Sequence, residues 1–361
     1  MAYCKNCLLP DRVPGSDINS QGLCRFCREY SDDSSASDAD RGQKVQDLEE
    51  ALQSCRGQGE YDCLVPVSGG KDSLYLLYKL KKEYDLNILA MTTDVNIPDL
   101  AWKNIRRTLH VLDIDHLTFT PSPAFYAKVF RYLLQNQEER GAVYTVSYVY
   151  APLFEGDAVR TALQKGIPLI LAGYSPGQPE PERMLYEFSR ELICEADWTP
   201  PGLKSSGQFS QAELSRFYNP RQYPRDTRFP RYLAPLHAWD YDQEKVMQEV
   251  VRAGLVKQTR HANPILTNYP INWLLMYSDL KHFGYNPYHP EFSALIRQGK
   301  ANKTYWRIMT PIVNTMINKK IFLGREVSRS MKWLGLKEED LAINQPKGAY
   351  DPVLPGKEGK S

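Results

Sequence analysis

The 361-residue chain has no apolar run that approaches the ~18 residues a membrane-spanning helix requires. It also has no apolar segment following a basic stretch at its N-terminus, so a secretory leader is not expected. Charge of one sign is missing as well: 45 Lys and Arg stand against 43 Asp and Glu, a net charge of +2. Overall charge therefore argues neither for nor against a polyanionic partner. No internal repeat is visible, which excludes a repeat array. Cysteine is sparse, at seven, and four of the seven fall in two Cys-x-x-Cys pairs. Without a leader, that usage reads as metal ligation in a reducing compartment, and the expected location is the cytoplasm.

The two pairs, Cys4-Lys5-Asn6-Cys7 and Cys24-Arg25-Phe26-Cys27, are separated by sixteen residues. Two knuckles at this spacing can set four thiolates tetrahedrally around one zinc ion and leave no open position, which makes the expected site structural. An iron–sulfur cluster is the other occupant that four thiolates allow.

The expected organisation begins with a Cys4 zinc module over residues 1–30. A Ser/Asp/Ala-rich linker follows over 31–40, with an amphipathic helix near Val45 to Gln53. Residues 41–240 then alternate strands and helices. Apolar runs at 61–67, 86–93, 115–120 and 167–172 read as strands. Helical spacing appears over 72–84, 99–112, 124–135 and 152–165. Such alternation predicts an α/β fold with a doubly wound parallel sheet, whose ligand edge lies at the C-terminal ends of the strands. A Pro-, Arg- and Tyr-rich stretch, 174–236, reads as an irregular insertion over that edge. Residues 241–343 read as a helical C-terminal region, with helices at 243–253, 271–283, 290–298 and 324–334, and 344–361 as a frayed tail.

The sharpest chemical signal is Ser68-Gly69-Gly70-Lys71-Asp72-Ser73, between a buried strand and a helix. Two glycines let the backbone turn tightly and aim N–H groups at a phosphate, and the helix dipole favours the same charge. Ser68 and Ser73 add hydroxyl donors and Lys71 a cation. Asp72 can contact magnesium or simply cap the helix. The loop is shorter than a Walker A loop. As written, and in this context, it resembles the PP-loop of the ATP pyrophosphatases, which cleave ATP between its α and β phosphates and leave AMP on the substrate. That resemblance implies ATP and Mg²⁺ as ligands, with Lys71, Asp72 and Ser73 in the catalytic set. It also implies contacts to the nucleotide at Ser68, Gly69, Gly70, Asp94 at the end of the second strand, and Gly173 at the end of the fourth. For Asp94, a turn or capping role is the equal alternative.

Across much of the chain the order of features resembles the N-acetyl sugar amidotransferases of bacterial surface-polysaccharide synthesis. The likeness is carried by Tyr3-Cys4-x-x-Cys7-Leu8-x-Pro10, Gly22-x-Cys24-x-x-Cys27 and the run from Tyr61 through Ser73. It continues in Ile167-Pro168-Leu169-Ile170, Ile271-Asn272-Trp273-Leu274-Leu275, Phe283-Gly284-Tyr285 and Ile296-Arg297-x-Gly299. It implies an enzyme that adenylates a carbonyl oxygen of a nucleotide-linked sugar and replaces it with nitrogen from ammonia, supplied by a separate glutaminase. The sequence departs from that family at 141–146 and at 267–270, where the family often carries cysteines and this chain has none. A cluster or persulfide there is not expected.

Sulfur transfer to tRNA or a small metabolite is the alternative. The leftover thiols, Cys55, Cys63 and Cys194, are far apart in sequence. Between Arg216 and Tyr232, Arg216, Arg221, Arg225, Arg228 and Arg231 interleave with Phe217, Tyr218, Tyr223, Phe229 and Tyr232. That pattern can grip a nucleic-acid backbone, cap a sugar nucleotide, or anchor a solvated loop. A non-enzymatic zinc adaptor is disfavoured by the intact phosphate loop. No membrane contact is expected, and homo-oligomerisation is left open.

Overall fold

The structure, a computed structural model, describes residues 2–30, 34–176 and 186–351. Its strands are β1 (Cys63–Pro66), β2 (Ile88–Thr93), β3 (Asp115–Phe119), β4 (Gln137–Glu138), β5 (Leu169–Leu171), β6 (Arg231–Leu233) and β7 (Ile343–Gln345). Five of them form one parallel sheet in the order β3-β2-β1-β5-β6. The chain steps outward from β1 to β2 and β3, then returns to the other side of β1 for β5 and β6. This is the doubly wound arrangement, and its switch point lies between β1 and β5.

Alternation along the strands explains why both faces are covered. Cys63 and Val65 of β1, Ile88 and Ala90 of β2, and Leu169 and Leu171 of β5 point into one core, with Leu48, Leu77, Ile105 and Val250 from helices on that side. Leu64, Leu89, Met91 and Ile170 point the other way, against Ala158, Val159 and Ala162 of helix Ala142–Lys165. Each fully buried aliphatic side chain contributes roughly 1.5–3 kcal/mol. A strand apolar on both faces needs helices on both sides.

A third core unites helices Pro123–Gln135, Ile271–Phe283 and Arg325–Leu334 with the first half of Ala142–Lys165. That long helix therefore belongs to two cores: its start to the helical region, its end to the sheet. Its predicted start at 152 is ten residues late. Pro152 lies inside it and cannot donate to the preceding turn. Yet Ala142, Val143, Val146, Val149 and Leu153 are all buried in the helical core, and packing overrides the lost hydrogen bond. Gly141, at φ +96, begins the helix where a Cβ would lie 2.5 Å from Asp279 Oδ1. Asp279 in turn accepts from Ala142 N at 2.5 Å and Val143 N at 3.1 Å, so a neighbouring helix caps this one.

Other expectations also needed revision. Residues 34–40, read as linker, belong to helix Ser34–Ser54, while 31–33 lie outside the described residues. Extension of an established helix costs little once its packed portion is nucleated. The 174–236 stretch is not wholly irregular, since it supplies the edge strand β6; residues 177–185 lie outside the described residues. Helix Lys303–Lys319, with Pro311 inside, was not anticipated. The start of the tail is ordered: β7 pairs with β4, and buried Tyr350 donates its hydroxyl to Asn136 O at 2.6 Å. Positions 352–361 lie outside the described residues. Among the described residues, no helix is long and apolar enough to cross a membrane.

The Asp279 cap yields a pH prediction. Burial pushes its carboxyl up to about 7, against the pull of the Val143 and Ala142 amides. The folded state thus holds this proton more tightly than the unfolded chain, and stability should fall as pH rises from about 4 to about 7. Asp279→Ala orphans two amides and should cost about 1–3 kcal/mol for each one left unsatisfied. Urea unfolding across that pH range checks both expectations; an unchanged slope in the variant would remove Asp279 as the source.

Candidate functional site

The loop 68–70 leaves β1 at the switch point. Gly69 adopts φ +78, and a Cβ there would stand 2.5 Å from Ala101 O in helix Asp99–Leu112. Glycine is required by both the left-handed backbone and the close approach. Gly70 then serves as N-cap of helix Lys71–Lys82, and no side chain caps that end. Its unclaimed first-turn N–H groups and positive dipole end point to the strand edge, an arrangement suited to an anion.

Gly173, just beyond β5, closes the cradle. A Cβ on it would lie 2.8 Å from both N and Cα of Ser73 and 3.1 Å from the Asp72 carbonyl carbon. The end of β5 therefore rests directly on the first turn of the loop helix. Ser73 Oγ donates to Gly70 O at 3.0 Å and sits 3.5 Å from Ser68 Oγ, so the two serine hydroxyls face the same space. Buried Asn104 holds the loop from behind: its Nδ2 donates to Gly69 O at 3.3 Å and to His261 O at 2.9 Å. Thr92 Oγ1 donates to Val67 O at 2.9 Å.

A cavity of about 190 Å³ opens above this cradle, lined by Ser68, Gly70, Asp72, Ser73, Thr93 and Gly173 among others. A larger cavity of about 600 Å³ adjoins it, between the sheet edge and the helical region, and Asp72 lines both. Lys71 lines the larger one. Its Nζ is buried, 2.7 Å from Asp72 Oδ2, and donates to Tyr241 Oη at 3.1 Å; Tyr241 in turn donates to Asp72 Oδ1 at 2.8 Å. Burial alone would lower the Lys71 pKa, but the Asp72 carboxylate and Tyr241 outweigh it and raise it, so the ammonium persists. Burial first, then Asp72, raises the Tyr241 pKa, and it stays a phenol. Across the same cavity Glu291 is pushed up to about 8 by burial, against the pull of Lys71.

The far wall of the large cavity is aromatic and amide-rich. Phe292 and Trp306 stack with centroids 3.5 Å apart, and Asn272 bonds Asn268 at 2.6 Å. Arg260 and Lys300 supply cations. Flat rings, amides and cations together fit a polar ligand with a sugar or base and a phosphate.

The structure thus brings together Ser68, Gly69, Gly70, Asp72, Ser73 and Gly173. It sends Lys71 towards the adjoining cavity. Asp94 lines neither cavity: its Oδ1 accepts from Ile97 N at 3.2 Å, a turn-stabilising bond. Tyr241 and Glu291 escaped the sequence reading, and no local pattern marks them. Asn104 carried a signal, since a polar residue on the apolar face of a helix implies a buried partner.

The four cysteines also converge. All four Sγ atoms lie within 4.8 Å of one another, with Cys4–Cys27 at 3.7 Å and Cys7–Cys24 at 3.6 Å. A tetrahedral ion with bonds of about 2.3 Å sets its sulfurs about 3.8 Å apart, so the set fits one ion. The module sits against Tyr285 and Ile296, and Arg297 Nη1 lies 3.4 Å from Cys7 Sγ. It therefore buttresses helix His289–Arg297, which carries Glu291 and Phe292 to the large cavity. Cys55 and Cys63 are buried, Cys194 half-buried, and none of them lines either cavity.

The basic-aromatic segment is largely structural. Phe217, Tyr218 and Tyr232 are buried, Arg216 lies 4.6 Å over the Phe125 ring, and Arg231 pairs with Asp47 and Glu187 at 2.8 Å each. Arg221, Arg225 and Arg228 remain exposed.

No family model matches the chain, and no curated protein matches its sequence. Among solved structures, it is similar to an NMN synthetase from Francisella tularensis, at 11% identity and TM-score 0.36, covering 88% of this chain and 98% of that one. It is similar to the U34-tRNA thiolase NcsA from Methanococcus maripaludis, solved with its [4Fe-4S] cluster, at 12% identity and TM-score 0.35, covering 83% and 87%. An NH3-dependent NAD synthetase from Campylobacter jejuni shares 12% identity at TM-score 0.34, covering 86% and 99%. Likeness this remote says nothing about chemistry.

Cys24→Ser removes one of four converging ligands. Elemental analysis should find about one metal ion per native chain and a large loss in the variant, with a lower melting temperature. Equal metal content in both would rule out a site built from these four thiolates.

Proposed function

We propose that the chain is a PP-loop ATP pyrophosphatase that transfers nitrogen to a nucleotide-linked sugar. The observation that carries this reading is the uncapped helix start at the switch point, with Gly173 lying against the backbone of Ser73. In that cradle the N–H groups of the loop and the hydroxyls of Ser68 and Ser73 hold the departing pyrophosphate. The sugar carbonyl oxygen attacks the α-phosphorus, the bond to the β-phosphate oxygen breaks, and AMP remains on the acceptor. Ammonia then adds to the activated carbon, loses its proton, and displaces AMP. Bound at Asp72, magnesium would neutralise phosphate charge.

Both halves of the site support this division. The small cavity holds the loop, the large one offers stacked rings, amides and cations to an acceptor, and Asp72 belongs to both. Among the described residues no thiol lines either cavity, which favours ammonia from a separate glutaminase over an internal sulfur carrier. The Cys4 module would hold structural zinc, and the cytoplasm, where such thiols stay reduced, suits it.

Asp72→Ala or Ser73→Ala should lower AMP formation on the order of 100-fold or more. Mass spectrometry of a nucleotide-sugar panel with ATP, Mg²⁺ and ammonium, beside sulfide and bulk tRNA, reads the acceptor directly. A sugar with one oxygen exchanged for NH, with AMP and pyrophosphate in equal amounts, is the expected product. Sulfur incorporation with no ammonia product would move the chain to thiolation; full activity in either variant would remove the loop from the chemistry.

A further inference from the structure

Exposed large apolar side chains gather in one stretch. Helix Lys303–Lys319 turns Trp306, Thr310 and Val313 towards the large cavity. Its other side carries Ile308 and Ile312, a helical turn apart, with Ile308 55% exposed. The turn after it, Ile321 to Leu323, is exposed at all three positions, and Phe322 reaches 72%. Phe322 also has φ +50, a left-handed conformation unfavourable for a bulky residue, with no burial to offset it.

Charge in the same stretch is of one sign. From Lys300 to Arg325 there are six cations, Lys300, Lys303, Arg307, Lys319, Lys320 and Arg325, and no Asp or Glu. Lys320 pairs with Glu338, and Lys303 bonds the Lys5 carbonyl. The side chains of Arg307, Lys319 and Arg325 make no ion pair or hydrogen bond among the described residues. The overall charge of +2 conceals this local excess.

We propose that the outer side of helix Lys303–Lys319 and the turn Ile321 to Leu323 form a peripheral docking surface for an anionic lipid bilayer. Such a surface rewards both features: apolar side chains enter the headgroup boundary and flanking cations meet lipid phosphates. A second copy related by a twofold axis would set this cationic stretch against itself. RNA would take the cations but gains nothing from exposed Ile308, Ile312, Ile321 and Leu323, since it binds by stacking on rings. No segment is long and apolar enough to span a bilayer, which is why the sequence alone predicts no membrane contact. A helix lying in the interface needs only to sink about 5–10 Å, which a single apolar face accomplishes. Docking would bring the large cavity, lined by the other side of the same helix, next to the bilayer.

The test is cosedimentation of the full chain with vesicles of phosphatidylcholine mixed with phosphatidylglycerol, and of phosphatidylcholine alone. Binding to the mixed vesicles should be roughly tenfold or more tighter, and should weaken with salt. Ile308→Glu with Phe322→Glu should lower binding by a similar factor, with the melting temperature unchanged. Arg307→Glu with Lys319→Glu should remove most of the lipid selectivity. Absence of phosphatidylglycerol-dependent binding, or wild-type binding by the Ile308/Phe322 pair, overturns the proposal. So does a chain that sediments as a dimer and becomes a monomer when Ile308 and Phe322 are changed, because a protein then covers the face.

Discussion

Backbone resting on backbone at the switch point is the constraint from which the site follows. The end of β5 touches the first turn of helix Lys71–Lys82, and the loop before that helix touches helix Asp99–Leu112. Neither contact leaves room for a Cβ, so Gly173 and Gly69 are set by packing and not by turn propensity alone. Once both contacts form, the loop N–H groups have one direction to face, and the hydroxyls of Ser68 and Ser73 are held near one another. Rigidity here comes from the sheet, whose strands on either side of β1 are buried on both faces. A cradle of backbone N–H groups built this way is organised by the packing of the sheet itself, as fixed dipoles must be if they are to stabilise charge.

The large cavity adjoins that cradle, and helix Ala142–Lys165 is decisive for how the layers around it are placed. Its last turns pack on the sheet and its first turns in the helical core, so the two layers share one rigid rod. Asp279 fixes where the rod begins. Because Ile271–Phe283 supplies both Asp279 and the cavity-lining Trp273 and Met276, the cap that positions the rod also positions a wall of the large cavity. The four-cysteine module does for helix His289–Arg297 what Asp279 does for the rod.

The sheet was legible because its central strands β1, β2 and β5 are buried on both faces and several of its helices have strong apolar periodicity. Helix Asp99–Leu112 falls on its predicted bounds, and the Gly-Gly turn between β1 and its helix and the convergence of the cysteine pairs were legible from spacing. What escaped was long-range. The start expected at Pro152 is too late because buried neighbours hold that helix through its proline. Strand β6 hid in a Pro- and Arg-rich stretch because an edge strand of three residues needs little pattern of its own. Tyr241 lies 169 residues from its partner Asp72, and no local rule couples them. Asp94 follows β2 directly, and its carboxylate accepts from Ile97 N within its own turn.

Lys71 points away from the cradle towards the large cavity, and electrostatics accounts for its place. A buried ammonium needs a carboxylate, and Asp72 lies next to it at 2.7 Å. Both are further tied to the Tyr241 hydroxyl, so the ligand-free site is internally neutralised. A divalent ion at Asp72 would compete for the oxygens that now hold Lys71, and the ammonium would then need a new anion. Under the proposed function, phosphate oxygens in the cradle or a phosphate-bearing acceptor in the large cavity would supply that anion. Because Asp72 lines both cavities, filling of one would then change the charge presented to the other. Tyr241, a neutral phenol, ties the pair together by donating to Asp72 Oδ1 at 2.8 Å and accepting from Lys71 Nζ at 3.1 Å.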